Sequence, residues 1–186
     1  MLRRRNHSRT SYYSRESTAG CTLAFAMLAG VTMLAAWLAY PSDNKAFGLA
    51  FLDANKNNQG VITLESGLQY KVLAKGTGKD HPTVDSPCMC HYEGRIAQHW
   101  PEGEKFDSSY DRGHPAKFAP NQVIKGWTEA LQLMVEGDKW ELYIPPNLAY
   151  GARGRPPKIP GGSVLVFTIE LKSIKGGRTP ARVELR

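Results

Sequence analysis

The chain has 186 residues, 41% of them apolar, and a formal net charge of +7, enough for one core of ordinary domain size with length to spare at the ends. The charge sits at those ends. Arg3, Arg4, Arg5, Arg9 and Arg15 face only Glu16 in residues 1–40, and five Lys or Arg face only Glu184 in residues 172–186, so the middle carries about −1. That near-neutral middle offers no basic face for phosphates, which excludes a nucleic-acid partner despite the overall charge.

Residues 1–20 form a basic tail. Cys21 to Tyr40 follows as twenty residues without a formal charge, the length a helix needs to cross the hydrocarbon of a bilayer. Arginines ahead of it favour a cytoplasmic N-terminus and send the remainder across the membrane. The segment is read as a signal or a transmembrane anchor. If it is kept, the protein is membrane-anchored through residues 21–40; if it is cleaved at its small residues Ala35, Ala36 and Ala39, the protein is secreted. A lipoprotein reading of Gly20-Cys21 fails because the apolar run follows that cysteine.

Residues 41–60 read as a short amphipathic helix and linker. Phe47, Leu49, Ala50, Phe51 and Ala54 fall close to one stripe over Lys45 to Asn55, and Asn57 to Gly60 stop it. The Asp53-x-Asn55-x-Asn57 run imitates a calcium loop, but the positions that require glycine and a bidentate glutamate hold Asn58 and Leu64. A strand over Val61 to Thr63 comes next.

From Gly67 the pattern is antiparallel β. Leu68, Tyr70 and Val72 alternate with polar residues, Cys88 to Tyr92 is a second run, Trp140 to Ile144 a third, and Val164 to Ile174 a long fourth. Cys88 and Cys90 share one face of their strand and read as core filler, not as a metal or redox pair. Gly76 to Lys79 lacks the residues of a phosphate loop and reads as a turn between strands. Val123, Ile124, Trp127, Leu131 and Met134 are spaced three to four apart, which predicts one stripe along a short helix. Pro145-Pro146 ends the third strand, and the turn through Ala149-Tyr150-Gly151 brings Tyr150 near that helix. Strands with one amphipathic helix give an α+β domain over residues 61–175, and Gly176 to Arg186 reads as a mobile tail.

Ser108, Ser109, Asp111 and His114 mimic hydrolase parts, yet neither serine lies in a G-x-S-x-G elbow, and His81, His91, His99 and His114 lack metal or triad spacing. What does stand out is a set of ordered motifs: His91-Tyr92-Glu93-Gly94, Phe106-Asp107-Ser108-Ser109, Val123-Ile124-Lys125-Gly126-Trp127, Ala149-Tyr150-Gly151 and Ile159-Pro160. Through these the chain resembles the FKBP-type peptidyl-prolyl cis-trans isomerases. Through Ser66 to Leu73 and the helix before it, it resembles their Mip-like branch.

The resemblance implies an antiparallel β half-barrel of five or six strands wrapped around one short α-helix, here preceded by an N-terminal hydrophobic helix. It also implies rotation about X-Pro peptide bonds, with no cofactor and no metal. Tyr92, Phe106, Asp107, Tyr150 and Phe167 match the catalytic positions, and Val123, Ile124, Trp127, Phe118 and Ile159 the substrate-binding ones, with Trp127 at the floor. Expected partners are proline-containing polypeptides, macrolides of the FK506 or rapamycin type as competitive ligands, and a weak homodimer. The alternative is a peptide-binding or chaperone module with low turnover. The chain departs from the family pattern at Ala116, at Gly161, and at Arg155 and Lys158. The last two put positive charge on the pocket rim and predict that acidic residues beside the proline are favoured.

Overall fold

The computed structural model describes residues 43–180. The basic tail, the apolar segment 21–40 with its expected helix, and residues 181–186 lie outside the described residues. Helix α1 (Asn44–Asn55) starts where the Asp43 side chain accepts a hydrogen bond from the Lys45 amide at 3.1 Å, a short polar residue relieving an otherwise orphaned helical donor. The helix lays Phe47, Phe51 and Leu52 into a small core with Tyr143, Val164 and Val166. It is pinned by a buried polar link: Asn55 Nδ2 donates to Gln69 Oε1 at 2.9 Å, and Gln69 Nε2 donates to the Leu52 carbonyl at 2.9 Å. Among the described residues no helix is long and apolar enough to cross a membrane.

Nine strands follow among the described residues: β1 (Val61–Thr63), β2 (Gln69–Ala74), β3 (Asp80–Pro82), β4 (Cys88–Ile96), β5 (Asp107–Ser108), β6 (Ala116–Phe118), β7 (Lys139–Ile144), β8 (Leu165–Ile174) and β9 (Arg178–Pro180). Seven of them form one antiparallel sheet in the order β1-β2-β7-β8-β4-β5, with β6 also paired to β4. Strand β4 organises the site. One edge runs along β8 from Cys88↔Ile174 to Ile96↔Leu165. The other edge carries β6 against Cys88 to Cys90 and β5 against Glu93 and Gly94. Its residues alternate between fully and partly buried, so Cys88, Cys90, Tyr92, Gly94 and Ile96 all face inward, as the period of two requires. Cys88 and Cys90 are free thiols within the core, and burial pushes the Cys88 thiol up to about 11.

The concave face holds helix α2 (Lys125–Leu131), which buries Gly126, Trp127, Ala130 and Leu131. Leu68, Met134, Leu142, Ile144, Ile169 and Leu171 complete the core, each contributing roughly 1.5–3 kcal/mol by leaving water.

The structure corrects the sequence reading in two places and adds to it in a third. The apolar stripe from Val123 to Met134 is longer than the helix. Ile124 is the extended residue that precedes it (φ −62°, ψ 150°), Val123 is extended as well (φ −122°, ψ 177°), and Met134 lies past its end. Apolar spacing alone does not distinguish a helix from a helix with an extended lead-in. Gly76 to Lys79 does lie between two strands, β2 and β3, but it is also packed against the segment 135–138, with the Gly76 amide donating to Asp138 Oδ1 at 2.7 Å and the Gly78 amide to the Glu136 carbonyl at 3.0 Å. A Cβ on Gly76 would sit 2.3 Å from the Glu136 oxygen, so only glycine admits this approach. Finally, Arg178–Pro180, read as part of a mobile tail, is strand β9, paired with β3. Arg178 fastens it by donating to Glu136 Oε1 at 2.9 Å and to the Ile174 carbonyl at 2.8 Å.

Candidate functional site

Between the open face of the sheet, α2 and the segment 150–159 lies a cleft of about 690 Å³. Its floor is the Trp127 indole, 4% exposed. Three rings stand edge-on around it: Tyr92 at 5.1 Å and 82°, Phe167 at 5.1 Å and 84°, and Phe118 at 5.8 Å and 89°. Phe106 stands edge-on to Phe167 at 5.4 Å and 84°. Edge-to-face packing puts the positive rim of one ring against the negative face of the next and holds each ring in place. Val123, Ile124 and Ile159 add aliphatic walls, and Tyr150 borders the mouth.

The backbone explains why these residues meet. Tyr92 and Phe167 come from the neighbouring strands β4 and β8, and Gly94, two residues beyond Tyr92, lies directly opposite Phe167. A Cβ on Gly94 would stand 2.5 Å from Phe167 Cε1 and 2.7 Å from Phe106 Cζ. The missing side chain is therefore the space that both rings occupy. Phe106 is drawn in by its amide, which donates to the Gly94 carbonyl at 2.9 Å. Buried Ser109 then stitches the turn after β5 to β4: its amide donates to the Tyr92 carbonyl at 2.8 Å, and its Oγ accepts from the Tyr92 amide at 2.7 Å.

All ten residues singled out in the sequence, Tyr92, Phe106, Asp107, Phe118, Val123, Ile124, Trp127, Tyr150, Ile159 and Phe167, line this one cleft. Gln122, Pro156 and Pro157 line it too. Arg112 was not foreseen. Its Nη1 donates to Asp107 Oδ1 at 2.5 Å and its Nη2 to Tyr92 Oη at 2.8 Å, while Tyr92 Oη donates to Asp107 Oδ2 at 2.6 Å. The guanidinium also stands 5.4 Å from the centre of the Tyr92 ring, within cation–π reach. Partial burial pushes the Asp107 carboxyl up, but the hydrogen bonds from Tyr92 and Arg112 and the Arg112 charge outweigh it and hold the group below its ordinary value. Burial, then the hydrogen bond to Asp107, pushes the Tyr92 hydroxyl up. So the wall carries a fixed carboxylate and a neutral phenol.

On the opposite rim, Arg155 Nη1 donates to Tyr150 Oη at 3.3 Å, and Lys158 Nζ donates to the Phe106 carbonyl at 3.0 Å. The segment bearing them closes on itself. Gly162 donates to the Gly151 carbonyl at 2.9 Å, and Arg155 and Ile159 exchange backbone hydrogen bonds of 2.8 and 3.1 Å.

Residues 78–172 match the family model described as FKBP-type peptidyl-prolyl cis-trans isomerase. The chain belongs to that family. Residues 30–72 match a second model, the domain amino terminal to FKBP-type peptidyl-prolyl isomerases. The macrophage infectivity potentiator of Trypanosoma cruzi is 48% identical over 133 residues, 72% of this chain and 66% of that protein. The peptidyl-prolyl cis-trans isomerase Mip of Coxiella burnetii is 51% identical over 126 residues, 68% of this chain and 53% of that protein. The match thus spans between about half and two thirds of the length of these curated relatives. Among solved structures, FkpA from Escherichia coli superposes with a TM-score of 0.66 at 37% identity, covering 85% of this chain and 70% of that one. A peptidyl-prolyl cis-trans isomerase from Pseudomonas syringae gives 0.64 at 36%, covering 72% of this chain and 94% of that one. The FKBP-like α+β fold, with its antiparallel sheet and few helices, is thereby established.

Proposed function

We propose that this FKBP-family chain catalyses cis-trans rotation about X-Pro peptide bonds, with the proline ring held over Trp127. Rotation sacrifices amide resonance, a barrier of about 18–20 kcal/mol, and takes tens to hundreds of seconds unaided. No bond to carbon breaks, so the reaction asks for neither nucleophile nor proton transfer. It asks for a site that holds the twisted amide better than the planar one. Water solvates the more polar planar form better, so an aromatic cleft that strips water favours the twisted form.

The observation that carries this reading is the pairing of a ring-lined floor with a carboxylate that already has its donors. Asp107 receives a hydrogen bond on each oxygen and has a lowered pKa, so it serves as a fixed charge on the wall past which the carbonyl turns, and not as a general base. Among the described residues the Tyr150 hydroxyl is held only by a 3.3 Å bond from Arg155, which leaves it able to donate to a substrate carbonyl. Macrolides of the FK506 or rapamycin type would compete for the same floor.

A protease-coupled proline-peptide assay tests the proposal on the unmodified chain, on Tyr150→Phe and on Asp107→Ala. The expected result is turnover that falls in both variants. No detectable turnover in the unmodified chain would leave a peptide-binding module instead.

The clients are proposed to be exported proteins. The uncharged run of residues 21–40 supports this, as does the name of a relative from Legionella longbeachae, outer membrane protein MIP, 45% identical over 133 residues. The N-terminal residue of the mature protein separates an anchored enzyme from a released one. Any homodimer is proposed to be weak, because α1 spans only twelve residues; sedimentation across a concentration series tests it.

A further inference from the structure

We propose that the rim of this cleft selects prolines with an acidic neighbour, and that Arg155 and Lys158 are the residues that read the charge; this rests on the cleft being the proline site. Among the described residues the one carboxylate that lines the cleft is Asp107, and its charge is matched at 2.5 Å by Arg112. The two remaining charged groups around the mouth, Arg155 and Lys158, are both positive and both exposed. Among the described residues neither takes part in an ion pair. Each is held by a neutral acceptor belonging to the cleft itself, the Tyr150 hydroxyl for Arg155 and the Phe106 carbonyl for Lys158.

Three features turn this from a surface charge into a reader. The acceptors occupy one donor on each cation and leave the remaining N–H groups open to an incoming carboxylate. The Arg155–Ile159 backbone bridge and the burial of Ile159, 4% exposed, fix the stretch from which both side chains spring, so ordering it costs a ligand little. Both anchors line the cleft, which places the two charges beside the residues flanking a bound proline and not at a remote patch. Together they give the mouth a net positive potential over an apolar floor, the arrangement that favours Glu or Asp next to Pro and disfavours Lys.

The test uses labelled proline peptides that differ at one flanking position, before or after the proline, as Glu, Gln or Lys. Binding is read by fluorescence anisotropy and turnover by the protease-coupled assay. Glu peptides are expected to bind about fivefold or more tightly than their Gln counterparts, in keeping with one or two exposed ion pairs. That advantage should shrink in 1 M salt, where charges more than about 3 Å apart are screened. Arg155→Gln and Lys158→Gln should each reduce it by roughly two- to fivefold, and the double variant should abolish it, with an unchanged thermal unfolding midpoint. Equal binding of Glu and Gln peptides, or a Glu preference that survives in the double variant, overturns the inference. The two readings fail separately. Glu preference in binding with no turnover of any peptide refutes the isomerase and leaves charge selection standing, whereas turnover indifferent to Glu, Gln and Lys does the reverse.

Discussion

Gly94→Ala probes the site without removing any group from it. The added methyl would lie 2.5 Å from Phe167 Cε1 and 2.7 Å from Phe106 Cζ, whereas carbon atoms pack at about 3.5–4.0 Å. Each ring must therefore retreat by roughly 1 Å. Phe167 is backed by Trp127, 5.1 Å away, so the rings press into the floor or out into the cleft. The alternative is for β4 to bow away and strain its pairing to Phe167 and Asp107. Overpacking of this kind costs about 1–3 kcal/mol, and a displacement near 1 Å at a reacting centre lowers turnover by about tenfold to a hundredfold. Urea unfolding and the protease-coupled assay, run on the same preparation, read the two effects. Gly94→Ala combined with Phe106→Leu should regain part of the stability but not the activity, because the smaller side chain relieves one of the two clashes, the Phe167 contact remains, and the cleft loses a ring. A Gly94→Ala chain with the unmodified unfolding midpoint and unmodified turnover would refute the account of Gly94 as space reserved for the two rings.

Three further outcomes rest on the geometry of the same fold. Asp107 has a depressed pKa, so its contribution to stability is complete above about pH 4, the ordinary carboxylate value, and drains away as the pH falls through the lower folded value; Asp107→Asn should flatten that part of an acid unfolding curve, and Arg112→Gln should move it toward pH 4. Gln69→Ala strips the Asn55 side-chain amide of its buried acceptor and the Leu52 carbonyl of one of two donors, the Lys56 amide remaining, and should cost about 1–3 kcal/mol in urea unfolding, while turnover of an uncharged peptide stays within about twofold because Gln69 lies outside the cleft. Trp127→Leu should lower affinity for proline peptides and destabilise the chain by somewhat less than the roughly 3–5 kcal/mol of a Trp-to-Ala change; fluorescence-free calorimetry and unfolding measure both.

The long strands were legible because each keeps one face in the core over several residues. Trp140, Leu142 and Ile144 announce β7, and the run from Leu165 to Ile174 announces β8. Strand β4 was visible only as far as Tyr92, since Gly94 and Arg95 interrupt its apolar alternation even though the backbone continues to Ile96. Strands β3, β5, β6 and β9 have two or three residues each, too few for a period of two to show, and unlike the equally short β1 they have no β-branched run such as Val61-Ile62-Thr63 to mark them. Eight of the ten cleft residues singled out were legible in ordered motifs, Phe118 and Phe167 came only through the family resemblance, and the fold gathers all ten, while Gln122, Pro156 and Pro157 join them unannounced. Arg112 was not, because it is half-exposed in a turn after β5 and acquires its meaning only when that turn swings it over Tyr92. Gly94 is a related case: a strand glycine signals close approach by something, but the two phenylalanines it accommodates are twelve and seventy-three residues away.

The self-closing stretch from Gly151 to Gly162 has a further consequence. Its internal hydrogen bonds make it a cassette hinged at two neighbouring points, while the rings beneath it are set by β4, β8 and α2. Exchange of the cassette's tip can therefore retune which polypeptides are admitted and leave the machinery below unaltered. Divergence among relatives should accumulate there first, so that a lineage could acquire new clientele without reinventing its chemistry.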